Sequence, residues 1–404
     1  MNGNSVPGDA VPPDEKVRRI IRATPNILFW KSHVAGKRLA EGLASYKKGD
    51  KKDAVELFLK AIDFDPHNTD ALNDLAQVYF ELGELDQSEP CFRRVLEIKP
   101  SDPDALRGLG YILVRKGMLE EAVYFFLKFL QGNDRDIDVY LNLTSALYSM
   151  ANYEEAISYA QKALAVAPSD ARVLKTLGQI RLAIGQIEPA IEGFRTALSL
   201  YPNDAETNRL LGYALKAIGD INGALERFQS ATILDPNNGE AWLGLADLLK
   251  ISGRYNDYLE AAQKSLSVYE RTANRQGMAN AYWDIGWAYF ELGEFEKSIE
   301  ASKKSQELNP ELSPVRFNLG LAYLCSGDLE RGRIAYREAM EKADAPTLKT
   351  DGIDDLAKVI RNKPGLPGAS EILEEMTTRY DAFTAATVTL RSNYKRPAPP
   401  PRDK

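Results

Sequence analysis

ARVLKTLGQIRLAIGQIEPAIEGFRTALSLYPND, residues 171–204, is followed without a break by AETNRLLGYALKAIGDINGALERFQSATILDPNN, residues 205–238. Laid over each other, the two stretches match Gly178 with Gly212, Gly185 with Gly219, Ala190 with Ala224, Phe194 with Phe228 and Pro202 with Pro236. Extended outward, the same frame opens at 35, 69, 103, 137, 171, 205, 239, 279 and 313. The step is 34 residues everywhere except before 279, where it is 40. Self-similarity at such a period is the signature of stacked supersecondary units, each too small to bury its own apolar face.

Each unit reads as two helices. Positions 4, 7, 8 and 11 carry the apolar stripe of the first, as in Leu72, Leu75, Ala76 and Tyr79, and that spacing puts them on one helical face. Position 8 is Gly or Ala except at Thr144, and position 20 is Ala, Ser or Gly except at Tyr258, so paired helices approach closely. Position 15 is Gly except at Ala151, where Asn152 is the expected left-handed substitute. Position 24 carries Phe58, Phe92, Phe126, Phe194, Phe228 and Tyr336, rings expected to plug the seam between helices. Pro66, Pro100, Pro168, Pro202, Pro236 and Pro310 stop the second helix.

This pattern resembles the tetratricopeptide repeat family. The resemblance covers about three quarters of the chain and implies an all-α, right-handed superhelical solenoid of helix–turn–helix repeats with terminal capping helices. It implies an architecture rather than a chemistry. The expected organisation is a flexible segment 1–24, a solenoid 25–346, capping helices in 347–392 and a disordered tail 393–404. In that tail Pro397 and Pro400, among basic residues, match a polyproline ligand.

Three departures stand out. The first repeat places its stripe one residue late, at Leu39, Leu43 and Tyr46, and runs on from a helical stretch after Pro25, as an end cap would. Six extra residues near Glu270–Gln276, and Ser298, Ser302 and Ser305 at packing positions of the eighth repeat, predict a longer helix and a weaker joint. After 346 the period is lost. Ile353, Leu356, Ala357 and Ile360 mark a short amphipathic helix, and Ser370 reads as the N-cap of a second one through Ile372, Leu373, Met376, Tyr380 and Phe383. Both are expected to cover the open end of the stack.

Composition narrows the function. The chain has 404 residues, 44% of them hydrophobic, and a net charge of −7. An acidic balance argues against a nucleic-acid binder. No apolar run approaches the roughly 20 residues needed to cross a bilayer. Two distant cysteines, Cys91 and Cys325, exclude a disulfide framework and fit the cytoplasm. Two histidines, His33 and His67, leave little room for metal or triad chemistry. Glu120–Glu121 and Glu154–Glu155 open second helices, where acids favour the helix dipole, and adjacent residues face apart. No phosphate-binding glycine loop occurs in a strand–turn–helix setting. The expectation is therefore a non-enzyme with no metal and no cofactor.

What remains is the inner face of the first helices, where positions 2, 5, 9 and 12 share a stripe bordered by 6 and 13. That stripe opens acidic and polar at Asp70, Asn73, Asp74, Gln77, Glu81 and Asp104. Its middle is basic and aromatic: Arg107, Tyr111, Arg115, Asn142, Tyr148, Arg172, Lys175, Gln179, Arg209, Tyr213 and Lys216. It ends apolar at Trp283, Trp287, Phe290, Phe317, Leu321 and Leu324. A basic, tyrosine-bearing stripe in an acidic protein points to an acidic partner, because Arg forks grip carboxylates and Tyr adds contact area at low entropic cost; a plain solvated face is the competing reading. Some relatives within the resembled family hold a C-terminal carboxylate between five residues of three repeats. Here Arg107, Asn142 and Arg172 stand at three of those positions; Tyr111 and Thr176 break the other two, with Lys175 beside the latter. The reading is a protein-interaction scaffold that binds a peptide or partner segment, acidic or carboxylate-ended, in the groove, with no nucleic acid and no membrane insertion. Its rival is a regulatory or assembly subunit of a larger enzyme, secretion, pilus or envelope complex.

Overall fold

The computed structural model describes residues 15–393, with side chains described for 30–385. The sequence expectations for 1–14 and for the proline-rich tail from 394, with its Pro397 and Pro400, lie outside the described residues. The described chain is helical, with no β-strand in it, and divides into two compact units, one ending at Gln186 and one beginning at Ile187.

The first unit runs α1 (Glu15–Lys47), α2 (Lys51–Phe64), α3 (Thr69–Leu82), α4 (Leu85–Ile98), α5 (Pro103–Arg115), α6 (Leu119–Leu130), α7 (Ile137–Ser149), α8 (Tyr153–Val166) and α9 (Ala171–Ala183). First helices open on side-chain caps. Asn68, Asp102, Asp136 and Asp170 each accept from a backbone N–H in the turn that follows. The apolar stripes bury as their spacing predicts: Leu72, Leu75, Leu106, Leu109, Leu143 and Leu147 are all core. α1 begins upstream of the expected 25, and its Leu39, Leu43 and Tyr46 pack on Phe58 and Leu75.

Between α7 and α8 the left-handed residue is Ala151 itself, at φ +59°, where the equivalent Gly117 has +75°. Asn152, the expected substitute, is instead the N-cap position of α8. A Cβ in that conformation costs about 1–2 kcal/mol. Ala151→Gly is therefore expected to raise the unfolding free energy by about 0.5–1 kcal/mol, after allowing for glycine's greater freedom in the unfolded chain. A lowered denaturation midpoint would contradict this.

The second unit runs α10 (Ile187–Leu200), α11 (Ala205–Ala217), α12 (Ile221–Leu234), α13 (Gly239–Ile251), α14 (Tyr255–Arg271), α15 (Arg275–Glu291), α16 (Phe295–Leu308), α17 (Ser313–Cys325), α18 (Leu329–Lys342) and α19 (Ala345–Thr347). A π-helical segment, Leu348–Asp354, then leads into α20 (Asp355–Asn362) and α21 (Ala369–Asn393). Ser370 is thus inside the first turn of α21 and does not precede it.

The extra residues before 279 lengthen both α14 and α15 to 17 residues, with a turn through Ala273 at φ +51°. One ring packs closely into the joint this makes. The Tyr269 ring lies so close to Gly239 and Gly277 that a Cβ there would come within 2.6 and 2.4 Å of it. Ser265 donates to the Gly239 carbonyl at 3.1 Å and Ser305 to that of Ala279 at 2.7 Å. Ser302 replaces the usual ring at position 24 and packs directly on Gly286, while its hydroxyl and that of Ser298 are buried without a partner.

The exception at position 20 has a similar explanation. In the seventh repeat position 24 is Ala262, and the ring has moved to Tyr258. Tyr258 is fully buried, and its hydroxyl crosses to the next repeat and donates to Asp284 at 2.7 Å.

Candidate functional site

In the first unit the stripe residues of α5, α7 and α9 do converge, but not as free cations. Position 5 is tied to the cap of the following repeat: Asn73 donates to Asp102 at 3.0 Å, and the Arg107 guanidinium lies 3.6 Å from Asp136. Arg107 also meets Asp104 at 2.8 Å. Arg172 bonds Asp138 of the preceding repeat at 2.6 Å and its own cap Asp170 at 2.8 Å, yet its side chain stays 57% exposed. Asn142 donates to the Asp138 carbonyl at 2.8 Å. Tyr111 packs its ring on Phe126, and burial, followed by the Asp136 charge, pushes its hydroxyl up to about 12. Arg107, Tyr111, Asn142 and Arg172 therefore form one cluster around Asp136 and Asp138.

The remaining stripe residues of this unit lie around that cluster. Arg115 is exposed, with its guanidinium 5.2 Å from the Phe80 ring centre. Tyr148 packs on Tyr153, and Lys175 and Gln179 are half-buried. The acidic opening is also present. Burial, then Asp70 and Asp104, pushes the Asp74 carboxyl up to about 6.

In the second unit the basic residues are used internally. Arg209 grips Glu206 at 2.6 and 2.9 Å and covers the Tyr213 ring. Tyr213 is half-buried against Phe228 and donates to the Glu240 carbonyl at 3.2 Å. Lys216 pairs with Asp247 of α13. Tyr213 and Lys216 tie α11 to α13, while Arg209 is held within α11, roles that position-by-position reading could not separate from an open charge.

The apolar end of the stripe is covered by the chain itself. Phe317 is only 1% exposed, because Gly352 and Met376 sit against its ring; Leu321 and Leu324 are buried in the same cluster. Phe317 is therefore core in this structure and does not line an open groove. The C-terminal segment does more than cover the end of the stack. It also reaches the first-helix face, where Lys358 of α20 bonds Glu291 of α15 at 3.0 Å.

Between that segment and the helices lies a cavity of about 320 Å³, lined by Trp283 and Trp287 among others, with a second of about 170 Å³ beside Trp287, Phe290 and Phe295. Its charged wall was not foreseen from the sequence. Burial, then Asp351, pushes the Asp355 carboxyl up to about 7; burial raises Asp351 as well. Asp284, which accepts from Tyr258 of the cavity lining, is pushed up to about 6 by burial. The available signal was the i, i+4 spacing of Asp351 and Asp355, which the π-helical turn obscures. Among the described residues no group of three or more His, Cys, Asp and Glu side chains is placed to hold a metal ion, and no helix is long and apolar enough to cross a membrane.

Comparison with known proteins bears on the repeat itself. A family model described as tetratricopeptide repeat matches residues 45–109 and 147–212, and two others of the same description match 238–311 and 209–266. Together they cover more than half of the chain. Among solved structures, a tetratricopeptide repeat protein from Parabacteroides merdae is 18% identical, with 63% of this chain and 98% of that one covered and a TM-score of 0.49. MamA from Desulfovibrio magneticus is 26% identical over 42% of this chain and 93% of its own, with a TM-score of 0.39. YrrB, described as having an unusual peptide-binding site, is 23% identical over 46% and 96%, with a TM-score of 0.41. No curated protein matches the sequence.

Proposed function

The chain belongs to the tetratricopeptide repeat family, and we propose that it is a non-catalytic, cytoplasmic scaffold that binds an acidic or carboxylate-ended partner segment on the first helices of its N-terminal unit. The observation that carries this reading is the cluster of Arg107, Tyr111, Asn142 and Arg172, contributed by three successive repeats. Arg172 is its exposed member. A ligand carboxylate would displace Asp138 from a guanidinium already oriented by Asp170, exchanging one charge-assisted pair for another. The gain is then a difference between two ion pairs plus the contact area of the tyrosines, so binding of moderate strength is expected.

A crosslinking pull-down with wild type and with Arg172→Glu/Lys175→Glu identifies the partner and tests the site together. The double variant is expected to keep its helicity and to bind at least tenfold more weakly, about 1.4 kcal/mol. Wild-type affinity is expected to fall with added salt, since exposed charges are screened beyond about 8 Å at physiological ionic strength. Unchanged affinity together with salt-independent binding would remove the acidic-segment reading and leave the arginines as structural ties between repeats.

A further inference from the structure

Building on the reading that this scaffold binds a partner peptide, we infer that the cavity between α15 and the C-terminal segment receives a lysine or arginine residue of such a peptide. The argument starts from charge. Asp351 and Asp355 face the cavity from the C-terminal side, one helical turn apart. Among the described residues, no Lys or Arg nitrogen lies within 4.0 Å of either carboxylate, and the one hydrogen bond to Asp351 comes from the hydroxyl of its neighbour Thr350, at 3.0 Å. The two lysines of the wall act on these aspartates only through space, and their close contacts are elsewhere. Lys358 bonds Glu291, and Lys250 lies 3.9 Å from Asp247 with its ammonium 5.6 Å from the Trp283 ring centre. Counting Glu291, three carboxyl groups face two ammonium groups; burial leaves a proton on Asp355 near neutral pH, and an entering cation takes its place, so the cavity favours a cation and disfavours an anion.

The opposite wall supplies what a basic side chain needs besides a counter-charge. Trp283 and Trp287 offer apolar faces for the aliphatic stem and π-faces for the charged end. Asn318, only 4% exposed, lines the same cavity, and its amide NH₂ has no acceptor; the Trp283 indole N–H is likewise buried and unpaired. Both nitrogens are covered in this state, and a small turn of either side chain toward the cavity would let it meet a carbonyl oxygen, which is favoured because a buried donor left unpaired is costly. A basic residue within a peptide brings both groups at once: a cation for the aspartates and main-chain carbonyls for Asn318 and Trp283. At about 320 Å³ the cavity has room for it, on the scale of some ten water volumes of about 30 Å³ each.

The test needs no partner. Nα-acetyl-arginine amide, Nα-acetyl-lysine amide, the uncharged Nα-acetyl-norleucine amide, pentylamine and free arginine are titrated into the full chain, read by the indole ¹⁵N–¹H signals of its four tryptophans. The two basic amides are expected to shift the Trp283 signal saturably. Pentylamine, which lacks the carbonyl, binds more weakly, and the norleucine compound leaves the signal in place. Asp351→Asn/Asp355→Asn, which replaces unpaired carboxylates with near-isosteric amides, is expected to stay folded and to bind the basic amides at least tenfold more weakly; Asn318→Ala weakens them as well. Binding of the norleucine compound as tight as that of the arginine amide, no response to either basic amide, or unchanged binding by the double Asn variant would each overturn the assignment. Free arginine binding more tightly than its capped amide would overturn the peptide as source in favour of a small molecule. A partner captured by the N-terminal unit and indifferent to the double Asn variant would remove this site while leaving the scaffold reading intact.

Discussion

Replacing Phe228 with alanine is expected to lower the unfolding free energy of the C-terminal unit by about 3–5 kcal/mol, the usual cost of emptying a buried aromatic site. The ring is fully buried and is gripped from two repeats. A Cβ built on Gly212 of α11 would fall 2.9 Å from it, one on Gly244 of α13 2.3 Å, and the Tyr213 ring packs edge-on at 4.9 Å. One side chain therefore holds a helix pair together and joins that pair to the next, so the cavity cannot close without moving three helices. The converse change is also expected to be severe. Gly244→Val or Gly212→Val drives a branched side chain into the ring, an overpacking cost of about 1–3 kcal/mol or more. Lys264→Ala, on the exposed face of α14, is expected to change stability by less than about 0.5 kcal/mol. Urea denaturation of the four variants decides this. Equal losses for Phe228→Ala and Lys264→Ala would mean that the repeat frame is wrong.

Phe228 also illustrates why the fold was legible. Its partner within the repeat, Gly212, follows from spacing, because a 34-residue period repeats that packing decision and a single exception does not mask the rule; Gly244, at a position with no such rule, does not. Where a repeat departs from the rule, the compensation lies elsewhere in the same repeat or the next. Tyr258 takes the volume that Ala262 gives up, and Ser302 pairs with Gly286 to bring α15 and α16 together.

The candidate site was only half legible, for a different reason. Spacing tells which face a charge occupies but not whether a neighbour neutralises it. Arg107 meets Asp136, Arg209 meets Glu206 and Lys216 meets Asp247, and two of these three contacts join successive repeats. The cap aspartates Asp136 and Asp170 serve two functions, holding a helix N-terminus and a stripe cation together, and sequence reading identified neither. The C-terminal segment was legible as helix from Ile353, Leu356 and Ile360, but the π-helical turn before it shifts the register, so the face carrying Asp351 and Asp355 could not be aimed from periodicity.

That face leads to a pH dependence opposite to the usual one for carboxylates in ion pairs. Burial is the main reason the Asp355 carboxyl rises to about 7, with the Asp351 charge adding to it and Lys358 and Lys250 opposing it. A raised folded-state pKa means that the folded chain holds the proton more tightly than the unfolded one, whose Asp titrates near 3.9. Its contribution to stability is then fully present below about pH 4 and is lost as pH rises through about 7. A shift of about three units corresponds to about 4 kcal/mol at most. Partial exposure and the shared titration with Asp351 reduce the expected effect to about 2–3 kcal/mol. The global pH profile mixes this with carboxylates that move the other way, such as Glu89 and Asp170, held low by bonds to Lys116 and Arg172. The difference between wild type and Asp355→Asn isolates the group, since Asn stands in for the protonated acid. At pH 8 the variant is expected to be more stable than wild type by that 2–3 kcal/mol, and near pH 4 the two are expected to coincide. Hydrogen exchange over 348–362 should follow the same course, with protection in the wild type increasing as the pH falls from 8 to 5 once the intrinsic exchange rate is divided out. A variant less stable than wild type at both pH values would show that the Asp355 carboxylate has a bonding partner in solution, and the unpaired acidic wall of the cavity would then not exist as described.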